Sequence, residues 1–221
     1  SNFTATSDNS GAKELWRGPW AGISRTNWIL TNIDKSPKIS DAKKTQYKGE
    51  AHFLRGLYYF NLVRLFGDVP WIDKQQTASD DLQVSRTSKD IVYQHIIDDF
   101  SDAASMLPAV YENTTDIGRA TKGAAFGLLA KVYLTLKRYN ETLVAIDSVM
   151  NLGVYSLNRK YEWNFSDLRE NGPESLFEVQ YEKDVTAYSE FDILGQGGWH
   201  HEYMAPLASI NIGGPWGNFG W

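Results

Sequence analysis

The chain has 221 residues, 42% of them apolar and 22% charged, which is the balance of an ordinary soluble globular protein. With 27 acidic against 22 basic residues the net charge is -5, and no basic stripe interrupts the chain, which argues against nucleic acid as a partner. Cysteine is absent, so disulfides, thiolate metal sites and a cysteine nucleophile are excluded. No run of about 18 apolar residues could span a bilayer. The opening Ser1-Asn2-Phe3-Thr4 lacks the charged and apolar regions of a signal peptide, so the reading is a cytosolic protein or one whose targeting segment has been removed. The unusual feature is aromatic content: eight Trp, twelve Tyr and ten Phe, with several Trp in Gly- and Pro-rich stretches that do not read as core.

Residues 1–12 are small and polar and read as a loop. Trp20, Ile23, Asn27, Leu30 and Ile33 then recur at helical steps, with Pro19 placed in the first turn and Trp16 just before it. Residues 43–66 form the clearest helix. One stripe runs through Tyr47, Ala51, Leu54, Tyr58, Leu62 and Leu65, widened by Phe53, Leu57 and Phe60, so the helix is expected to pack on several sides. Gly67 caps it and Pro70 prevents its resumption. Residues 74–86 read as a polar crossing. Ser88 is expected to cap a third helix with Val92, Ile96, Phe100, Ala103 and Leu107 on one face, stopped by Pro108. Thr121 opens a fourth, carrying Phe126, Leu129, Ala130, Tyr133 and Leu136. Asn140 caps a fifth, with Leu143, Ile146 and Met150 inward and Gly153 beyond its end.

The pair from Thr121 to Met150 approximates one tetratricopeptide-like hairpin, although Thr142 stands where a small Ala is usual. Ser175 to Tyr181 alternates apolar and polar residues and reads as a strand. The fold class is therefore mainly α: tetratricopeptide-like helical hairpins with a loop-rich, partly β C-terminal portion. A boundary is placed at residue 182, dividing a helical region (1–182) from a Gly- and Trp-rich loop segment (183–221). That segment is read as leading into a missing C-terminal half.

Five ordered phrases resemble one family. The run from Tyr47 to Pro70, YKGEAHFLRGLYYFNLVRLFGDVP, is similar to the helix "EA.FLRA.YYF.LV..FGDVP" of the SusD/RagB family. Arg25-Thr26-Asn27 resembles that family's "R.N" helix. The stretch with Arg86, Ser88, Ile97, Asp99, Leu107 and Pro108 resembles its "R.S…I..D...A...LP" segment. Gly118 to Ala125 resembles "GR.TKGAA", and Glu174 to Val179 resembles "ES.FEV". The resemblance implies a SusD-like, surface-exposed outer-membrane lipoprotein. It would attach to the membrane only through an absent N-terminal lipid anchor. It would bind oligosaccharide or polysaccharide without catalysis and deliver glycan to a SusC-like TonB-dependent transporter, with no cofactor.

Sugars are held by aromatic faces stacked on pyranose C–H surfaces and by amides, carboxylates or Arg bonded to hydroxyls. Exposed loop aromatics suit this best, so the candidate carbohydrate-binding residues are Trp16, Arg17 and Asn9, with Trp199, Trp216 and Trp221 in the tail. Trp20, on the apolar stripe, and Trp28 rank behind them. Trp71 belongs to a structural turn, and Asn27 is expected to satisfy backbone groups in the packing. Enzymatic readings find no constellation: Asp98 and Asp99 point to different sides of a helix, and His200-His201 has no third metal ligand nearby. Neither HExxH, nor a phosphate loop, nor a G-x-S-x-G elbow is present. The rival to sugar capture is a helical protein-interaction scaffold within the transporter complex without its own glycan site. A glycosidase stands behind both.

Overall fold

The computed structural model describes residues 10–77, 79–80, 83–166 and 169–180. The candidates Asn9, Trp199, Trp216 and Trp221 lie outside them, as does Tyr181 of the expected strand. The first compact unit ends at Glu178.

Five α-helices follow one another: α1 (Ser10–Asn32), α2 (Asp41–Phe66), α3 (Lys89–Met106), α4 (Lys122–Thr135) and α5 (Tyr139–Met150). Each packs on the next in turn, α1 on α2, α2 on α3, α3 on α4 and α4 on α5, which is the serial stacking of a helical-hairpin array. The core runs along α2, where Phe53, Tyr59, Phe60 and Leu62 are fully buried beside Ile96 and Phe100 of α3. Burying a side chain of this size is worth about 1.5–3 kcal/mol. Two glycines let the helices approach. A Cβ on Gly56 would lie 3.1 Å from the Phe100 ring, and one on Gly49 would lie 2.9 Å from Met106 Cβ.

The buried row of α2 matches the expected stripe in part. Ala51, Phe53, Phe60 and Leu62 are sealed as expected and Gly56, Tyr59 and Val63 join them, whereas Leu65 is exposed. A helix apolar nearly all round offers several faces, and its neighbours decide which is deepest. Helix α1 starts nine residues earlier than Pro19 suggested and carries that proline inside. The ring removes the amide that would have bonded the Leu15 carbonyl, and Leu15 is exposed, so water can replace the lost donor.

The caps are equally local. Ser40 accepts from the Lys43 amide at 3.4 Å to open α2, and Gly67 closes it at φ 69°, its N–H bonded to Val63 O. Ser88 precedes α3 as expected, yet its hydroxyl makes no cap bond. Asp68 Oδ1 instead accepts from the Lys89 amide at 2.8 Å. The short antiparallel pair β1 (Val69–Pro70) and β2 (Arg86–Thr87), in register Val69 with Thr87, carries Asp68 to that position. Thr121 caps α4 through the Ala124 amide at 3.1 Å. Arg138, not Asn140, precedes α5, because Lys137 at φ 59° turns the chain one residue after α4 and its C-cap.

Two further expectations are corrected. On α5 the buried residues are Thr142, Ala145 and Val149, while Leu143, Ile146 and Met150 are 60%, 44% and 64% exposed. A tight turn brings α4 and α5 close, and close approach selects small residues at the seam. Residues 175–180 form no strand: Leu176 packs over Gly127 of α4, and the Phe177 ring meets Phe53 at 4.9 Å. The segment docks on helices, without a ladder partner among the described residues.

Candidate functional site

Trp16 lies on the second turn of α1 and is half-buried, so it does not stand free on a loop ahead of the helix. Its ring meets Phe66 at 5.0 Å and Trp20 at 5.3 Å, both edge-on. Trp20 continues to Tyr59 at 6.0 Å, Tyr59 to Trp71 at 4.2 Å, and Trp71 to His95 at 4.3 Å in a parallel stack. Six rings thus form a continuous ladder joining α1, α2, the chain after β1, and α3. Trp71 is covered by Tyr59 and His95, in keeping with a structural role. Arg17 projects from the same helix, its side chain 75% exposed and 3.8 Å from Glu14. The α1 turn that carries both residues therefore presents a guanidinium and the uncovered part of one indole.

Below the ladder lies a buried polar knot. Arg55 donates from Nε to Asp99 Oδ2 at 2.9 Å, from Nη2 to Asp99 Oδ1 at 2.7 Å, and from Nη1 to Asn27 Oδ1 at 3.0 Å and Asp73 O at 3.1 Å. His52 Nδ1 is 2.7 Å from Asp99 Oδ1. Asn27 donates to Ile72 O at 2.7 Å, the backbone-satisfying role expected of it. Tyr59 hydroxyl donates to Ile72 O and accepts from Ile72 N, and burial pushes its phenol well above the usual range. A second tie joins α2 to the loop before α4: Arg119 donates to both Glu50 oxygens at 3.1 and 2.9 Å and to Asp116 at 2.8 Å. Tyr111 hydroxyl donates to Ala120 O at 2.9 Å, and burial together with the Glu50 carboxylate raises its pKa. Asp98 and Asp99 do face apart: Asp98 is exposed and accepts from Gln94, and Asp99 is sealed in the knot.

More exposed aromatics lie elsewhere, Tyr139 on α5 among them. Trp28 on α1 is 56% exposed, and Tyr161 and Phe165, on a 3-10 turn (Tyr161–Phe165), are 79% and 75% exposed. Those two rings meet edge to face at 5.3 Å, and between them Trp163 lies under the Arg169 guanidinium at 3.8 Å. Sequence reasoning passed over this turn. Its signal was present in Tyr161-Glu162-Trp163-Asn164-Phe165, where aromatic and polar residues alternate in a stretch without helical or strand period.

The family profile described as "Starch-binding associating with outer membrane" matches residues 2–134. A SusD-like protein of Formosa agariphila is 25% identical over 203 residues, covering 87% of this chain and 38% of that protein. Among solved structures, a SusD-like protein from Bacteroides fragilis superimposes with a TM-score of 0.72 at 32% identity, over 78% of this chain and 34% of that one. A structure titled a laminarin-binding SusD-like protein gives 0.70 at 29% identity, over 76% and 37%. The chain belongs to the SusD-like family. It spans less than two-fifths of the length of these relatives.

The residues that carry the SusD-like resemblance are those that tie the scaffold. Glu50 and Arg55 of the long motif anchor Arg119 and Asp99; Gly67 and Asp68 end α2 and start α3; Asn27 and Thr121 bind and cap. The SusD-like signature is thus a fold signature, and the presented aromatics fall outside its phrases. Among the described residues no group of three or more His, Cys, Asp or Glu could hold a metal ion, and no helix is long and apolar enough to cross a membrane.

Proposed function

We propose that this SusD-like chain serves carbohydrate binding at the outer-membrane surface, holding oligosaccharide or polysaccharide for a SusC-like TonB-dependent transporter without breaking bonds. The observation that carries this reading is the SusD-like profile match over residues 2–134, whose description combines starch binding with outer-membrane association. The structural likeness to a protein titled laminarin-binding supports it. In this reading Trp16 and Arg17 contribute the uncovered part of an indole and a guanidinium on α1, and Asn9, Trp199, Trp216 and Trp221 are further candidate contacts. Isothermal titration against laminarin, starch and a panel of plant and host polysaccharides tests it. Heat of binding to at least one, with no reducing ends released, is the expected outcome; silence across the panel would overturn it.

A second reading, a protein-interaction scaffold, draws on one feature. Tyr139, Leu143, Ile146 and Met150 follow one another at four, three and four residues along α5 and are all exposed, the spacing of a seam that a partner helix could fill. Capture of the transporter by a chain without affinity for any sugar favours that alternative.

A further inference from the structure

The most exposed rings among the described residues share one short turn, and that turn is built to hold still. Tyr155 anchors its start: the hydroxyl is 2.9 Å from Thr121 Oγ1, and the ring lies against Gly123, where a Cβ would come within 2.3 Å of it. The Ser156 amide donates to Pro173 O at 2.9 Å, tying the incoming and outgoing arms. Glu174 Oε2 accepts from the Asn158 amide at 2.9 Å and from Asn164 Nδ2 at 3.1 Å, and Asn158 Nδ2 donates to Asn164 Oδ1. Those amide donors hold the Glu174 carboxyl below its ordinary range, so at neutral pH it is an ionised acceptor at the base of the turn.

On this base stand Tyr161 and Phe165, open to water, with Asn164 between them in sequence. A ring of this size exposed to solvent forgoes apolar burial worth about 1.5–3 kcal/mol, and a pinned turn prevents it from folding back to recover that energy. A partner with a flat C–H face and a rim of hydroxyls fits: the rings take the C–H face, and hydroxyls meet the phenol of Tyr161 and the second N–H and lone pair of the Asn164 amide, whose first ones serve Glu174 and Asn158. Three of the charges around the turn are engaged with one another or with a ring, while Arg159 and Glu170 stand exposed. Lys160 is 3.4 Å from Glu162, and the Arg169 guanidinium lies over Trp163. The profile described as starch-binding and the neighbour titled laminarin-binding both name neutral glucans, which favours a neutral ligand over an acidic one.

We propose that the Tyr161–Phe165 turn is a carbohydrate-binding subsite for neutral glycans, with Tyr161 and Phe165 as stacking platforms, Asn164 as hydroxyl ligand, and Glu174 and Arg169 as positioning residues. This rests on the glycan-binding reading above and adds a location and a ligand class to it. A pinned platform loses little freedom on binding, which is how a small contact area yields useful affinity.

The test uses the whole 221-residue chain with laminarin and soluble starch as neutral probes and polygalacturonate as the acidic one. Binding is read by titration calorimetry and by Trp163 fluorescence against a Trp163→Phe control. The double variant Tyr161→Ala/Phe165→Ala is expected to bind the preferred neutral glycan about tenfold or more weakly, with an unchanged thermal midpoint, since loss of each stacking contact is worth up to about an order of magnitude in affinity. Wild-type affinity in that variant overturns the subsite while leaving the glycan-binding reading intact. Absence of binding by the wild type to any probe overturns both. Should the double variant melt early, the rings serve packing against other polypeptide. Ring resonances of labelled Tyr161 and Phe165 in the wild type then decide: they shift on adding neutral oligosaccharide if the subsite exists and stay still if it does not. Tighter binding to polygalacturonate than to the neutral probes overturns the assigned ligand class.

Discussion

Replacing Arg55 by Met tests the idea that the buried knot, and not only the apolar core, holds α1, α2 and α3 together. Asp99 has a side chain 3% exposed, and Arg55 supplies two of its contacts at 2.9 and 2.7 Å while also meeting Asn27 and the Asp73 carbonyl. Met fills similar volume but donates nothing, so a buried carboxylate keeps only His52 and the Asn27 oxygen loses its donor. Stranding one partner of a buried ion pair costs about 3–5 kcal/mol. Against a domain stability of about 5–15 kcal/mol that is a large share, and it should be plain in the urea midpoint followed by Trp fluorescence and circular dichroism. Asp99→Leu should cost a similar amount. The double variant Arg55→Met/Asp99→Leu should cost clearly less than the two added together, because an apolar pair leaves no stranded charge. A loss below about 1 kcal/mol for Arg55→Met, or strict additivity in the cycle, would refute the reasoning.

Asp68→Ala should destabilise α3 by about 1 kcal/mol through loss of the cap on the Lys89 amide, whereas Ser88→Ala should be nearly silent; paired urea curves separate the two. Gly123→Ala should cost about 1–3 kcal/mol, because the Tyr155 ring it meets is tethered to Thr121 and cannot swing clear. On α5, Leu143→Ser should stay within about 0.5 kcal/mol, while Ala145→Leu should cost about 1–3 kcal/mol, a contrast readable from thermal midpoints of the 221-residue chain. The Glu174 carboxyl is depressed in the folded state by the Asn158 amide and Asn164. Its hold on the turn is therefore present above the ordinary glutamate pKa of about 4.3 and is lost as pH falls through the lower folded value. The Asn158 amide resonance should follow that titration and become pH-independent in Glu174→Gln.

The number and order of the helices were written in local signals: Ser40, Gly67, Thr121 and Gly153 punctuate apolar runs, and the Tyr47–Pro70 phrase marks the family. Such signals act within a few residues and need no distant partner. Burial is another matter. Leu143, Ile146 and Met150 obey helical spacing as well as Thr142, Ala145 and Val149 do, and only the nearness of α4 selects the smaller set. Pro19 should stop a helix by its own chemistry, yet α1 runs through it, anchored by Trp16 on Phe66 and Trp20 on Tyr59. Asp68 finds the Lys89 amide only because two short strands meet. The same division governs the candidate site: composition announced an excess of aromatic rings, but a ring's chemistry does not say whether water will reach it. Packing on α2 half-covers Trp16, Tyr59 and His95 flank Trp71, and the ties from Ser156, Asn158 and Glu174 hold the turn that presents Tyr161 and Phe165. Exposure is a property of contacts between residues far apart in the chain, and those exist only once the helices have assembled.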